Sequence, residues 1–242
     1  MQNRGFYYQQ KGDLDHSIDD YTTVLKLSNG HDARAKIYLN LGLLYFEKGD
    51  EATALDNYNE AVRLDPKLTS AYINRASIFI RRNDIGRAIA DLDRATLLNP
   101  KDSEIYISRG SVYAHSGEQD RAIADFSKSI ALNPKNALAW RDRAFAYRAN
   151  GDAAKAAADA TEAIRLDPHM VGAYVDLGLA CRKQVMRKAQ SSSLTRPFNS
   201  IQTTLRRSRL GETVIWLKVI VIAPSLPLAR RSLWTTDRLL HT

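Results

Sequence analysis

A spacing of 34 residues between prolines constrains the fold of this chain more than any other feature of its sequence. Two further columns repeat at the same spacing: a glycine or asparagine followed by an acidic residue, and an alanine. The members of the three columns are Pro66, Pro100, Pro134 and Pro168; Gly49, Asn83, Gly117 and Gly151; and Ala54, Ala88, Ala122 and Ala156. Agreement of three columns over four cycles predicts an internal repeat.

One cycle has the pattern of a helical hairpin. Apolar residues recur at helical spacing between residues 35 and 48 and again between residues 54 and 64. Gly49 between the two segments permits a left-handed turn, and Pro66 stops the second helix. A further column of the first helix holds only glycine or alanine, as expected where two helices approach closely: Gly42, Ala76, Gly110, Ala144 and Gly178.

The first complete cycle resembles the tetratricopeptide repeat family, whose pattern is aromatic-x-x-Leu-Gly-x-x-Tyr, then Ala-x-x-x-aromatic, then Pro. The matching residues are Tyr38, Leu41, Gly42, Tyr45, Ala54, Tyr58 and Pro66. The last complete cycle departs from the pattern, because Ala160 replaces the aromatic residue of the second helix. The resemblance implies an all-α fold, a right-handed solenoid of antiparallel helix pairs.

We expect the repeat array to occupy residues 1–183 and a tail of different composition to occupy residues 184–242. The array divides into a partial repeat, four complete repeats and a second partial repeat: 1–34, 35–68, 69–102, 103–136, 137–170 and 171–183. In the sixth repeat the first helix should be followed by a Gly-Asp turn, but no Gly-Asp pair occurs there. The tail begins at this point.

The tail carries the excess charge of the chain. The net charge is +8, and residues 184–242 contain ten basic and two acidic residues. The array itself is therefore electrically balanced, which does not favour a nucleic-acid partner. We interpret the tail as an artificial or rearranged C-terminus without a selected fold. The alternatives are a disordered basic extension and a membrane anchor over residues 213–229, a segment short for a bilayer span.

Arginine and aspartate occur together at a separation of 16 residues. The pairs are Arg4 with Asp20, Arg75 with Asp91, Arg109 with Asp125, and Arg143 with Asp159. The complete repeat that has Leu41 in the arginine column has Asn57 in the aspartate column. This joint occurrence predicts ion pairs between the two helices of each hairpin. A basic ladder for acidic ligands is the alternative interpretation.

A polar column of the first helices is the candidate binding site. The resemblance implies that the first helices line a concave groove, and asparagine ladders there can bond the backbone of an extended peptide. A solvated polar stripe is the alternative. The expected groove residues are Asn40, Asn74, Asp142, Asp176, Leu43, Phe46, Ile80, Phe145 and Arg148.

These features predict a non-catalytic scaffold that binds a protein or peptide, with cytoplasmic localisation and no membrane association. The alternative is the substrate-recruiting part of a larger enzyme, such as a peptide O-linked N-acetylglucosamine transferase. The sequence contains no phosphate loop, no nucleophile elbow and no zinc motif, so no catalytic residue, metal or cofactor is expected. Cys181 lies at a core position in the first helix of the last, partial repeat.

Overall fold

A computed structural model describes the backbone of residues 2–193 and the side chains of residues 3–187. This part of the chain is helical apart from short connections and contains no β-strand, so the expected all-α class is confirmed. The remainder of the tail, with the candidate anchor at 213–229, lies outside the described residues. The helices are α1 (Gln2–Gln10), α2 (Leu14–Leu27), α3 (His31–Glu47), α4 (Glu51–Leu64), α5 (Thr69–Arg81), α6 (Ile85–Leu98), α7 (Ser103–His115), α8 (Gln119–Leu132), α9 (Ala137–Ala149), α10 (Ala153–Leu166) and α11 (Val171–Ser193).

The chain divides into two compact units. Unit 1 ends at Leu132 and contains four helical hairpins, α1/α2, α3/α4, α5/α6 and α7/α8. Successive hairpins pack through α2 on α3, α4 on α5, and α6 on α7. Each amphipathic helix thus buries one face inside its hairpin and another against the next hairpin, as in tetratricopeptide solenoids.

Unit 2 begins at Asn133, and its described helices are α9, α10 and α11. The α9/α10 hairpin repeats the geometry of unit 1, and both of its helices pack against α11. Helix α11 has 23 residues and runs without interruption past Lys183 to Ser193. No turn forms at the point where the earlier repeats have one, because Val185 and Met186 occupy the register of the Gly-Asp pair.

The repeating Gly-Asp pair builds the turn inside a hairpin. Gly49 has a φ of 88°, a conformation that L-residues rarely adopt. The Asp50 carboxylate then accepts a hydrogen bond of 3.0 Å from the backbone N–H of Thr53 and caps α4. Asn83 replaces the glycine in the next hairpin and also has a positive φ, 56°.

A hydrogen bond from an aromatic side chain to a proline carbonyl oxygen spans the connection between hairpins. The Tyr106 hydroxyl donates a hydrogen bond of 3.1 Å to the carbonyl oxygen of Pro100. In unit 2, the Trp140 Nε1–H donates to the carbonyl oxygen of Pro134 at 2.9 Å. The aromatic residue and the proline that recur in the repeat are therefore hydrogen-bonded to each other.

The small-residue column marks close helix approaches in unit 1. A Cβ atom placed on Gly110 would lie 2.9 Å from Cε1 of Phe126, so only glycine fits without a shift of the ring. In unit 2 the corresponding pair is Ala144 and Ala160, which lie in one core cluster, so a larger residue of the first helix is combined with a smaller residue of the second. A Cβ on Gly178 would meet nothing within 4 Å, so this last glycine of the column marks no close approach.

Candidate functional site

The structure brings together the two members of each arginine–aspartate pair. The guanidinium binds the carboxylate through two parallel hydrogen bonds; for Arg109, Nε lies 2.8 Å from Asp125 Oδ2 and Nη2 lies 2.7 Å from Oδ1. The same two-bond geometry occurs in the other pairs: Arg4 with Asp20, Arg75 with Asp91, and Arg143 with Asp159. Each pair links the first and second helices of a hairpin.

Arg109 and Arg75 also reach the preceding hairpin. Arg109 Nη1 donates to Asp93 Oδ1 at 2.7 Å, and Arg75 Nη1 donates to Asn59 Oδ1 at 2.9 Å. Each acceptor lies 16 residues before its arginine, in the second helix of the previous hairpin. Sequence reasoning missed this second bond, although the acidic Asp93 at that separation was an available signal. These guanidinium groups therefore join three helices.

The repeat without an arginine replaces the ion pair with packing. Leu41 is buried in the core of unit 1, and the Asn57 amide donates to the carbonyl oxygen of Thr53 in its own helix at 2.8 Å.

The guanidinium groups of Arg75 and Arg109 are largely covered, with 18% of each side chain exposed, whereas Arg4 is 60% exposed. The pairs differ in burial although they share one register.

The Asn40 and Asn74 side chains are half-buried, and within residues 3–187 neither makes a side-chain hydrogen bond. Their helices, α3 and α5, are in contact. Both amides therefore retain a donor and an acceptor for another molecule. The equivalent Ser108 does not, because its hydroxyl donates to the carbonyl oxygen of Glu104 at 3.0 Å.

The apolar residues predicted beside these amides divide between core and surface. Leu43 and Phe46 are half-buried and pack against the core cluster that contains Tyr58 and Ile78. Ile80 is 39% exposed. The Arg81 guanidinium lies 5.3 Å from the centre of the Phe46 ring, within the range of a cation–π contact.

The equivalent positions of unit 2 are occupied by carboxylates in ion pairs. Asp176 is buried, with its Oδ1 3.1 Å from Nε of Arg148 and its Oδ2 3.7 Å from Nε of Arg141. Asp142 Oδ1 accepts a hydrogen bond of 2.9 Å from Arg141 Nη1. Sequence reasoning placed both aspartates beside the groove but did not foresee that these two arginines would bind them.

Burial raises the pKa of the Asp142 carboxyl above its ordinary value. The Arg141 guanidinium acts in the opposite direction, and the charge of Asp176 adds to the increase. Gly172 helps to place that guanidinium, because a Cβ there would lie 3.1 Å from Nε of Arg141. The two aspartates and their arginines thus form one cluster between α9 and α11.

The other predicted groove residues of unit 2 form a stacked pair. Phe145 is 39% exposed, and the Arg148 guanidinium lies 4.9 Å from the centre of its ring. Arg148 therefore has two partners inside the protein, the Asp176 carboxylate and this aromatic face. Its guanidinium is held in a fixed position rather than extended into solvent.

The described residues contain neither a metal-binding cluster nor a helix suited to cross a membrane. Residues 2–193 contain no group of three or more histidine, cysteine, aspartate or glutamate side chains arranged to hold a metal ion. No helix in the same range combines the length and apolar character that a bilayer crossing requires.

Family models of the tetratricopeptide repeat match three segments of the chain, residues 1–67, 75–139 and 126–158. Together these matches extend over most of the repeat array and agree with the helical hairpins in the structure. The segments have the same 34-residue organisation that the sequence columns show.

Two curated relatives are photosystem I assembly proteins named Ycf3. The one from Rippkaea orientalis is 33% identical over 67 residues, which are 28% of this chain and 39% of the relative. The one from Prochlorococcus marinus is 33% identical over 66 residues, 27% of this chain and 38% of the relative. The chain thus spans about two fifths of the length of the curated relatives it matches.

Solved structures with a similar fold include two repeat proteins. A crystal structure of MamA is 29% identical, with a TM-score of 0.62, and covers 68% of this chain and 94% of MamA. YrrB, described as having an unusual peptide-binding site, is 22% identical, with a TM-score of 0.61, and covers 71% of this chain and 87% of YrrB. The likeness to YrrB shows the fold alone.

Proposed function

Since the chain belongs to the tetratricopeptide repeat family, and so has a protein-interaction role, we propose that it binds an extended peptide segment of a partner protein along α3 and α5. Repeat arrays of this kind offer long concave surfaces formed by equivalent residues of successive units. The first helices supply that surface in the family. Asn40 and Asn74 occupy the same register of two such helices.

The observation that carries this proposal is the pair of amides without internal partners. An extended peptide backbone presents N–H and C=O groups in alternation, and a carboxamide can accept from the first and donate to the second. Asn40 and Asn74 are partly covered but form no side-chain hydrogen bond within the described residues. A peptide backbone would satisfy both amides without any requirement for a particular side chain.

The neighbouring apolar residues give the surface its expected side-chain preference. Leu43, Phe46 and Ile80 flank the two asparagines in sequence and retain exposed area. Removal of this area from water favours a peptide with apolar residues at alternate positions. The arginines that pair within the hairpins do not contribute, because their donors are used inside the fold.

The test is peptide binding by the full chain. A random 12-residue peptide library is selected on the wild-type protein, and the dissociation constant of a recovered peptide is measured with wild type and with N40A/N74A. Loss of two hydrogen bonds is expected to weaken binding by about tenfold or more. N29A is the matched control, because Asn29 is an exposed asparagine in the connection before α3.

A second measurement separates backbone recognition from general contact. Methylation of one peptide amide nitrogen at a time should weaken binding to wild type at the positions that face the asparagines, and should have no further effect on N40A/N74A. Equal affinity of all recovered peptides for wild type and N40A/N74A would overturn the proposal.

A further inference from the structure

Helix α11 and the end of α9 line an open pocket of about 440 Å³. Its lining combines four cationic and two apolar side chains: Arg148, Leu179, Arg182, Lys183, Met186 and Arg187. Five of the six residues belong to α11, and Arg148 belongs to α9. The pocket therefore lies within unit 2, on the segment where the repeat pattern of the sequence ends.

The charge of this pocket is not neutralised by the described residues of unit 2. Residues 133–193 contain ten basic and six acidic residues. Five of those acidic side chains bind a basic side chain, and Asp167 accepts from the backbone N–H of His169: the ion-paired ones are Asp142, Asp152, Asp159, Glu162 and Asp176. Arg182, Lys183 and Arg187 form no ion pair within the described part of the chain.

The spacing of the lining residues places charge and apolar area side by side. Leu179, Lys183 and Met186 follow one another at four and three residues, so they lie on one face of α11. Met186 is 57% exposed. The Arg148 guanidinium of α9, fixed by Asp176 and Phe145, also lines the pocket. A ligand that fits must be anionic and must also bring an apolar group.

We propose that this pocket binds an acidic peptide segment of a partner protein, with carboxylates on the cations and one leucine-sized side chain against Leu179 and Met186. The inference rests on the peptide-binding role proposed above and adds a second contact region with its own ligand chemistry. The tail of this chain is not the occupant, because residues 194–242 are strongly basic. The apolar side chains of the pocket favour a peptide over a polyphosphate backbone, which an extended basic stripe would suit better.

The experiment measures binding of a fluorescein-labelled peptide, three repeats of Glu-Asp-Leu, to the full chain by fluorescence anisotropy. R182E/R187E should bind the peptide at least tenfold more weakly than wild type. K135E is the matched control, because Lys135 is an exposed lysine of unit 2 outside the pocket, and it should change the dissociation constant less than twofold. Circular dichroism of each variant verifies the helical fold.

Two further peptides separate the two parts of the recognition. A Gln-Asn-Leu version should bind wild type at least tenfold more weakly, and a Glu-Asp-Ser version should bind several-fold more weakly. M186Q should reduce the difference between the leucine and serine peptides. An unchanged difference in M186Q would overturn the apolar half of the proposal.

Other outcomes identify a different site or ligand. Unchanged peptide binding by R182E/R187E would place the acidic peptide elsewhere, including on the basic tail, and would overturn the proposal. The proposal would also be overturned if R182E/R187E bound the acidic peptide as wild type does and lost affinity only for phosphatidylserine vesicles or for polyuridylate. If N40A/N74A alone weakens the acidic peptide, the pocket proposal fails while the proposed function stands.

Discussion

Unit 1 and unit 2 are built from the same repeat but use charge differently. Residues 1–132 contain 17 basic and 19 acidic residues, whereas residues 133–193 contain ten basic and six acidic residues. In unit 1 the buried guanidinium groups of Arg75 and Arg109 each bind two acceptors from neighbouring second helices. In residues 133–193 each acidic side chain accepts a hydrogen bond or forms an ion pair, and Arg182, Lys183 and Arg187 of α11 form no ion pair with the described residues.

One register shows the difference most directly. The position two residues before the small residue of the first helix holds uncharged polar residues in unit 1, Asn3, Asn40, Asn74 and Ser108, and the aspartates Asp142 and Asp176 in unit 2. The amides have no internal partner among the described residues, and the carboxylates bind arginines. A shared position in a repeat therefore does not define a shared role, because the neighbouring side chains decide whether a polar group is available to a ligand.

The largest expected effect is the loss of an arginine that joins three helices. R109A leaves Asp125 buried without its partner and also releases Asp93, so we expect the free energy of unfolding to fall by about 3 kcal/mol. Urea unfolding followed by circular dichroism measures the change. R4A removes an exposed arginine of the same register and should cost clearly less. Equal losses would show that burial of the pair is unimportant.

The next effect compares the two units at one register. D176A leaves Arg148 and Arg141 without their buried carboxylate, and the expected loss of unfolding free energy is about 2 kcal/mol. N40A removes an amide with no internal bond and should change stability by less than about 0.5 kcal/mol. A large loss in N40A would mean that the amide supports the fold rather than a ligand.

Smaller effects on stability, opposite in sign to each other, are expected when two glycines of the small-residue column are replaced by alanine. G110A forces a methyl group against the Phe126 ring and should lower the unfolding free energy by about 1–2 kcal/mol. G178A meets no atom within 4 Å in a helix and should raise it by up to about 1 kcal/mol. Thermal unfolding of both variants tests this difference; a loss in G178A would indicate a helix packed there.

The smallest effect depends on pH. Because burial raises the pKa of Asp142 in the folded state, its ionised form lowers stability at pH values above that pKa. D142N should therefore melt slightly above wild type at pH 7, and this advantage should shrink as the pH falls through the Asp142 pKa. A hydrogen bond from Arg87 lowers the pKa of Asp84, so D84N should melt below wild type at pH 7 and converge with it in acid. Parallel curves for both variants would contradict these assignments.

The sequence was sufficient for the fold because the columns that repeat are those that make the backbone contacts. Gly49 and Asp50 predicted a turn, and the structure shows a positive φ at Gly49 together with a capping hydrogen bond at Asp50 that the sequence had not indicated. The separation of 16 residues likewise predicted which aspartate each arginine would face. Such contacts recur in most cycles, so they leave a signal in a single chain.

Contacts that occur only once left no such signal. The binding of Asp176 by Arg148 depends on how α9 packs against α11, and it has no counterpart in the other repeats. The pocket on α11 was missed for the same reason, since Arg182 and Met186 lie at the point where the pattern stops. Local periodicity specifies repeated geometry, and only tertiary packing shows what the last helix adds.

The acceptors of Arg109 lie 16 residues before it and 16 residues after it, in the second helices on either side. In-frame duplication or deletion of one 34-residue module would leave the arginine at each new junction 16 residues from an equivalent position on either side. The protein could therefore grow or shorten during evolution by whole modules without new electrostatic solutions at each junction. A change of another length between Arg109 and either acceptor would alter that 16-residue separation, so selection would act against it.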